Sequence, residues 1–494
     1  MLFMPTELEL INERKRKLED IKNLGINPYP YSYDVKENSK EINDSFANLK
    51  NEEHSDHKTK TAGRILSLRR MGKVTFMHLQ DEQGKVQAYL SQDKMGDANY
   101  KFLKLLDVGD WAGVEGIVFK TRTGEVTVEV KKLELLSKSL RPLPEKWHGL
   151  KDIELRYRHR SVDLIMNPET KKVFRARAKI FDSIRELLNK KNFLEVDTPC
   201  LQPIYGGAAA KPFKTHLYAL DMEVFLRISN ELYLKRLVVG GFERVYEFAR
   251  DFRNEDIDRT HNPEFTQIEI YQAYADFEDM MKLTEDIYVN AAKVVNGTTK
   301  IEFNGHKIDL KKPWQRLSMI DAIKKYAKID VNKLNDKELF ELEKTHKLQK
   351  VKGKTRGYLI QALFEELVEE HLIQPVFIIH HPKESTPLCK ASRENPELLV
   401  ERFEPFIAGM EVANGYSELN DPIHQRKLFE EQAKMLKAGD EEANPIDEDF
   451  LRAIDQGMPP TGGVGIGIDR MAMILTEQAS IRDVLFFPFM KPEQ

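Results

Sequence analysis

The spacing of apolar positions changes in blocks along the chain, and each block predicts a different kind of element. Residues 6 to 24 carry Leu8, Ile11, Leu18 and Ile21 at near-helical spacing, which predicts a helix ending at Gly25 and Pro28. The stretch from Lys36 to Lys60 is polar and aperiodic and predicts a loop. From Thr61 to Leu136 short alternating runs broken by turn residues predict strands over 61–69, 74–80, 85–90, 111–119 and 125–136. Between the third and fourth, Ala98, Phe102, Leu105 and Leu106 share one helical face. Pro142 and Pro144 mark a linker, with a domain boundary near residue 145. The remainder predicts one large α+β unit, interrupted over 320–372 by a charged, helical insertion.

Five strands with a helix after the third is the order of an OB-fold barrel, a platform for single-stranded nucleic acid. Strand alternation sets Thr75, Met77 and Leu79 against Phe76 and His78, and Val86, Ala88 and Leu90 against Gln87 and Tyr89. With the aliphatic set inside, Phe76, His78, Gln87 and Tyr89 form an outer face suited to stacking on unpaired bases. The alternative is that Phe76 packs beneath a neighbouring loop.

At 494 residues the chain holds two to four domains at roughly 150 residues each. Its 76 basic and 80 acidic residues give a net charge of −4, so a nucleic acid must be held by local basic surface rather than a global field. One basic block, Arg14 to Lys17, is either a solvated helix face or a phosphate contact. Cys200 and Cys389 are far apart and lack metal-type spacing, which fits a reducing cytosol. The sequence carries no export signal and no run near the ~20 apolar residues of a bilayer span, so a cytoplasmic protein with no membrane association is expected.

Three segments carry candidate chemistry. Val245 to Glu255 (VYEFARDFRNE) predicts a strand with Arg253 and Glu255 on one face. After a loop over Asp256–Glu264, a second strand sets Phe265, Gln267, Glu269 and Tyr271 on a common side. Arg253 beside Glu255 could be a structural ion pair. Glu269 adds a negative charge that a substrate ammonium could meet. The second segment, RFEPFIAGMEVANGYSELNDP from Arg402, predicts a hairpin turning near Ala408 and Gly409, with Glu404 roughly opposite Glu411. Facing carboxylates repel unless a hard divalent cation sits between them, which predicts a Mg²⁺ clamp for ATP. Beyond it Asn414, Tyr416 and Glu418 alternate onto one face. The third segment, GGVGIGIDR from Gly462, precedes a helix for which Asp469 is a candidate N-cap. Its glycines permit close approach of a backbone or flat ligand, and it lacks the lysine of a P-loop.

In this order the segments resemble the class II aminoacyl-tRNA synthetases. KKNFLEVDTP at 190–199 looks like the first motif, ending at the dimer-interface Pro199; FRNE at 252–255 through HNPEFT at 261–266 looks like the second, and GVGIGIDR the third. RPLPEKWHGL at 141–150, GGAAAKPF at 206–213, ELYLKRLVVGGFERVYE at 231–247 and NGYSELNDP at 414–422 narrow the resemblance to the lysyl-tRNA synthetases, over essentially the whole chain. The fold implied is α+β, an N-terminal OB-fold barrel followed by an antiparallel sheet flanked by helices. The activity implied is ligation of L-lysine to tRNA(Lys) through a lysyl-adenylate, by a homodimer using ATP and Mg²⁺.

By that resemblance Arg253 bridges the lysine carboxylate and the α-phosphate, Glu255 and Asn262 hold adenosine, Phe265 and Arg470 sandwich adenine, and His261 reaches the terminal phosphates. Gly207, Glu231 and Glu269 take the α-ammonium. Tyr271 and Glu418 receive the ε-ammonium, with Asn414 and Tyr416 completing the wall. Glu404 and Glu411 hold Mg²⁺, and Phe76 and Gln87 read the anticodon. The sequence departs from the family at Asn192, Asp256 and His380, where glycine, glycine and aspartate are usual. Rival readings are a non-catalytic tRNA-binding protein, a paralogue that lysylates a protein, and the aspartyl or asparaginyl sister enzymes.

Overall fold

The structure is a computed structural model that describes residues 6–144, 150–348 and 355–492. The chain divides into two compact units, Met1–Gly149 and Leu150–Gln494. The expected boundary near residue 145 and residues 145–149 of the 141–150 segment lie outside the described residues.

In the first unit, α1 (Glu7–Asn23) opens on a capping box in which Thr6 and Glu9 satisfy each other's backbone N–H groups. The basic block on it is not a free cationic face. Arg14 is buried and donates to the carbonyls of Val108, Ser139 and Arg141, and Lys17 pairs with Asp107 at 2.6 Å. Lys15 and Arg16 are exposed. The stretch expected to be loop contains α2 (Ser39–Ser45), whose cap is Asn38, and the first part of β1 (His54–Met71). Polar surface residues on both elements hide the period that would have announced them.

The barrel closes through β2 (Val74–Gln80), β3 (Lys85–Ser91), β4 (Trp111–Lys120) and β5 (Val126–Ser137) in the order β1-β2-β3-β5-β4. Two short helices, α3 (Gln92–Met95) and α4 (Asp97–Leu103), follow the third strand. Met77, Leu79, Val86, Ala88 and Leu90 fill the interior.

The second unit is built on a nine-stranded sheet. Helix α5 (Pro168–Lys190) leads into β6 (Leu194–Glu195), with Asn192 between them at φ 60, the left-handed conformation that asparagine tolerates better than most residues. Then come α6 (Glu231–Val239), β7 (Arg244–Phe252), β8 (Glu264–Ala273), α7 (Phe277–Asn296) and β9 (Gln315–Ser318). The expected insertion carries α8 (Met319–Tyr326), α9 (Asp336–His346) and α10 (Arg356–Leu367). The sheet resumes with β10 (Val376–Pro382), β11 (Leu399–Ile407), β12 (Met410–Glu411), β13 (Ala413–Ser417) and β14 (Thr461–Gly467), and α11 (Ile468–Leu475) follows without a turn.

Strand order is β9-β10-β11-β13-β14-β8-β7-β6, with β12 folded onto β11. Pairing is antiparallel through the middle and parallel only at the two ends, β9 with β10 and β7 with β6. One face packs on α7 and α11 through Ile268, Ile270, Val464 and Ile466. The opposite face is left to the site.

Candidate functional site

On that opposite face, register puts large side chains on either side of glycines. Asn414 and Glu269 both pair with Gly465, and Tyr416 and Tyr271 both pair with Gly463. The central strand is therefore a trough between two walls. A methyl group on Gly463 would lie 2.1 Å from Glu418 Oε1 and 2.5 Å from the Tyr271 ring, and one on Gly465 would lie 2.8 Å from Glu269 Oε1. The glycine repeat is the room that the carboxylates and the tyrosine occupy.

Above the trough lies a cavity of about 490 Å³ lined by Gly207, Glu231, Arg253, Glu255, His261, Asn262, Phe265, Glu269, Tyr271, Glu404, Glu411, Asn414, Tyr416 and Arg470. Glu418 is fully buried beneath the floor rather than on the lining. Its backbone N–H donates to Thr461, and its Oε1 has no hydrogen-bond partner. Burial pushes its carboxyl up to about 8, with Lys235 opposing the shift. Glu269 accepts from Tyr271 Oη and from Gln267 Nε2, each at 3.1 Å. Burial holds its carboxyl well above the usual carboxylate range, and Glu231 and Asp251 add to the shift. Gly207 adopts φ 88 and packs against Ser229 and Glu231, so any side chain there would be strained and crowded.

Arg253 lies just past β7, not in the strand expected over 245–255. Its N–H bonds Pro263 O at 2.8 Å, its guanidinium stands 5.0 Å from the centre of the Phe265 ring, and its buried Nε meets no acceptor. Glu255 is exposed in the loop and does not share a strand face with Arg253. The alternation stops at Phe252 because the chain turns away to make the loop. That loop folds on itself: Asp258 accepts from the backbone N–H groups of Thr260 and His261 and pairs with the His261 ring at 2.8 Å, which depresses its carboxyl to about 2 against the cost of burial. Asn262 is buried, donating to Glu264 O and accepting from Phe489 N–H. Arg470 reaches the Glu411 backbone carbonyl and His261 Nε2.

Glu411 pairs with Phe406, not with Glu404 as the expected hairpin required. The turn at Ala408 and Gly409, both at positive φ, is as short as expected, and the two carboxylates are diagonal neighbours on one sheet face. Glu404 bonds Arg402 and Asn414 Nδ2. Burial raises both carboxyls, and Glu404 further raises Glu411. A repelling, oxygen-only pair fits a hard divalent cation. Among the described residues no group of three or more His, Cys, Asp and Glu could hold a metal.

Asp469 is not an N-cap. Gly467 occupies that position, and Asp469 lies in the first turn of α11, accepting from the Thr266 N–H at 2.7 Å and from Arg177. Residues not foreseen are Lys235, which touches Glu231 and Glu418, and Arg402. Each stood in the sequence at ion-pair spacing from a carboxylate, Glu231 to Lys235 across one helical turn and Arg402 to Glu404 along a strand. Tyr358, Gln361 and Glu365 of α10 also line the cavity and could be found only from the fold.

On the barrel, Phe76 and Tyr89 are tilted neighbours at 5.3 Å on the outer face, and Tyr89 meets Phe119. Gln87 is buried and already engaged, donating to Glu125 at 2.6 Å and accepting from Thr127. His78 bonds the same Glu125 at 2.9 Å. Among the described residues no helix is long and apolar enough to cross a membrane.

Comparison with known proteins agrees with this geometry. Residues 152–491 match the model of tRNA synthetases class II (D, K and N), and residues 59–136 match that of the OB-fold nucleic acid binding domain. A lysine–tRNA ligase of Thermoanaerobacter sp. (strain X514) is 51% identical over 98% of this chain and 96% of its own. One from Clostridium novyi (strain NT) is 50% identical over 98% and 94%. A third, from Fervidobacterium nodosum, is 50% identical over 97% and 94%. The chain therefore belongs to the class II tRNA synthetases of the D, K and N group and, within it, to the lysine–tRNA ligase family.

Proposed function

We propose that this chain joins L-lysine to tRNA(Lys) in two steps. A carboxylate oxygen of lysine attacks the α-phosphorus of ATP in line, forming lysyl-adenylate as the bond to pyrophosphate breaks. The 3′-hydroxyl of the terminal tRNA adenosine then attacks the lysyl carbonyl, and AMP leaves. The observation that carries this reading is three buried carboxylates, Glu231 and Glu269 on the lining and Glu418 beneath it, at a cavity also lined by Arg253 and Arg470. Lysine brings two cations and one anion to such a surface. An aspartate side chain would bring a further anion to the carboxylates.

In this reading Glu231, Glu269 and the Gly207 backbone take the α-ammonium, and Glu418 and Tyr271 take the ε-ammonium, with Asn414 and Tyr416 as wall. The unpartnered Arg253 Nε suits the lysine carboxylate and α-phosphate. Phe265 and Arg470 stack adenine, Asn262 and Glu255 hold adenosine, and His261 meets the outer phosphates. Little covalent work falls to the protein; positioning and charge neutralisation lower the barrier. Glu404 and Glu411 would hold Mg²⁺, which would neutralise phosphate charge when bound. Phe76 would stack on an anticodon base and Gln87 would read one. The working form would be a cytoplasmic homodimer.

The test is amino-acid-dependent exchange of pyrophosphate into ATP with all twenty amino acids, followed by charging of tRNA. Exchange with lysine alone, then charging, is expected. Exchange with aspartate or asparagine, or none, would overturn the reading. Arg253→Ala should reduce lysine-dependent exchange by at least about a hundredfold, the scale of losing a preorganised charge contact.

A further inference from the structure

Lys235 has no part in the chemistry above, yet it is fully buried beside the cavity. Its Nζ lies 2.5 Å from Glu231 Oε1, contacts Glu418 Oε2, and stands 6.0 Å from the centre of the Tyr416 ring. Folding does not demand such a group, because apolar replacements of buried ion pairs are often neutral or stabilising. Its neighbours on α6, Leu232, Leu234 and Val238, are buried apolar residues of that kind.

The charges give it a purpose. When ionised, Glu231, Glu269 and Glu418 together carry three negative charges, and Lys235 cancels one. Two remain, the number of ammonium groups on one lysine. We propose that Lys235 is an internal counter-ion that limits the ammonium pocket to two negative charges and favours the ionised forms of Glu231 and Glu418 that the substrate needs. It acts through those carboxylates and is a positioning residue, not a catalytic one. The inference rests on the cavity being the lysine site.

The pocket's own titration supplies the readout. Facing Glu418 are Lys235 and Glu231 from α6, Glu269 and Tyr271 from β8, Tyr416 from β13, and Cys389 from the loop before β11. Arg402 faces Glu231, and Asp251 faces Glu269. Burial pulls the Lys235 ammonium down, but Glu231 and Glu418 more than offset this and keep it protonated. With that cation removed, three clustered buried carboxylates cannot all stay ionised, and a proton takes its place. That proton must leave before a substrate ammonium binds, so lysine affinity improves as pH rises through the raised carboxyl pKa.

The experiment measures KM for lysine in pyrophosphate exchange from about pH 6 to about pH 10, for the wild type and for Lys235→Met, Lys235→Arg and Glu418→Gln. Wild-type KM should fall with rising pH and level off near about 8. In Lys235→Met it should be about tenfold higher at neutral pH and level off about one unit higher, the equivalence of one pKa unit and a factor of ten. Its kcat at saturating lysine and its KM for ATP should stay within about threefold of wild type. Lys235→Arg should keep the wild-type levelling point. A Lys235→Met profile with the wild-type levelling point, or kcat and ATP KM lost together with no recovery in alkali, would overturn the proposal. Lys235→Gln, which keeps hydrogen bonding without charge, makes the same comparison if the methionine variant does not fold. Glu418→Gln separates the two readings. An unchanged lysine KM there refutes the lysine site itself, whereas a raised one beside a wild-type Lys235→Met profile refutes the counter-ion alone.

Discussion

Gly463 and Gly465 decide what the cavity floor can hold. A methyl at 463 would overlap a carboxylate oxygen and an aromatic ring, so one or both would have to shift. Gly463→Ala should therefore cost about 1–3 kcal/mol of stability through overpacking and raise the lysine KM more than the ATP KM. Thermal unfolding and exchange kinetics check both, and a variant with wild-type stability and lysine KM would show that the floor is looser than described. The glycine repeat was visible in the sequence, as was its fit to close approach. What approaches it was not, because Tyr271 of β8 and Glu418, just past the end of β13, are brought beside 463 only by the fold. Glu255 shows the converse. Spacing of two from Arg253 implied a shared face, but the strand ends at Phe252 and the loop carries Glu255 into solvent.

At the scale of elements, β8 does most to build the site. Ile268 and Ile270 enter the core on α7 and α11, and the odd positions, Phe265 to Tyr271, meet the cavity. Simple alternation foretold this division. The contact that holds α11 to β8 was not foretold, since an aspartate just after a glycine-rich strand resembles a cap. Asp469 satisfies the Thr266 N–H and Arg177 together. Asp469→Ala leaves a buried donor and a cation unpaired, a loss of about 1–3 kcal/mol, and should lower the melting temperature while weakening exchange, because Arg470 is the next residue. Unchanged melting would mean that the contact is idle. The elements missed between 36 and 60 were hidden for a different reason. Hydrophilic faces cover α2 and the start of β1, so no apolar period marked them.

For the whole molecule, the proposed function places chemistry and anticodon reading in separate compact units, and this separation is testable. Phe76→Ala with Gln87→Ala removes from the barrel alone the ring and the amide proposed to meet the anticodon. Charging of tRNA(Lys) should fall at least about fivefold, from about 1–3 kcal/mol of stacking, while lysine-dependent pyrophosphate exchange stays at wild-type rate. A parallel loss of exchange would mean that the substitutions act on more than tRNA. A net charge of −4 gives no global attraction for nucleic acid, so binding should be local and steeply weakened by salt. The central claim, however, is that buried carboxylates select lysine by its side-chain cation. The most direct measurement is the ratio of kcat/KM for lysine to that for norleucine in pyrophosphate exchange. A ratio of about ten-thousandfold or more is predicted, because norleucine leaves a buried charge unpaired. A ratio below about a hundredfold, the discrimination of a merely apolar pocket, would contradict it.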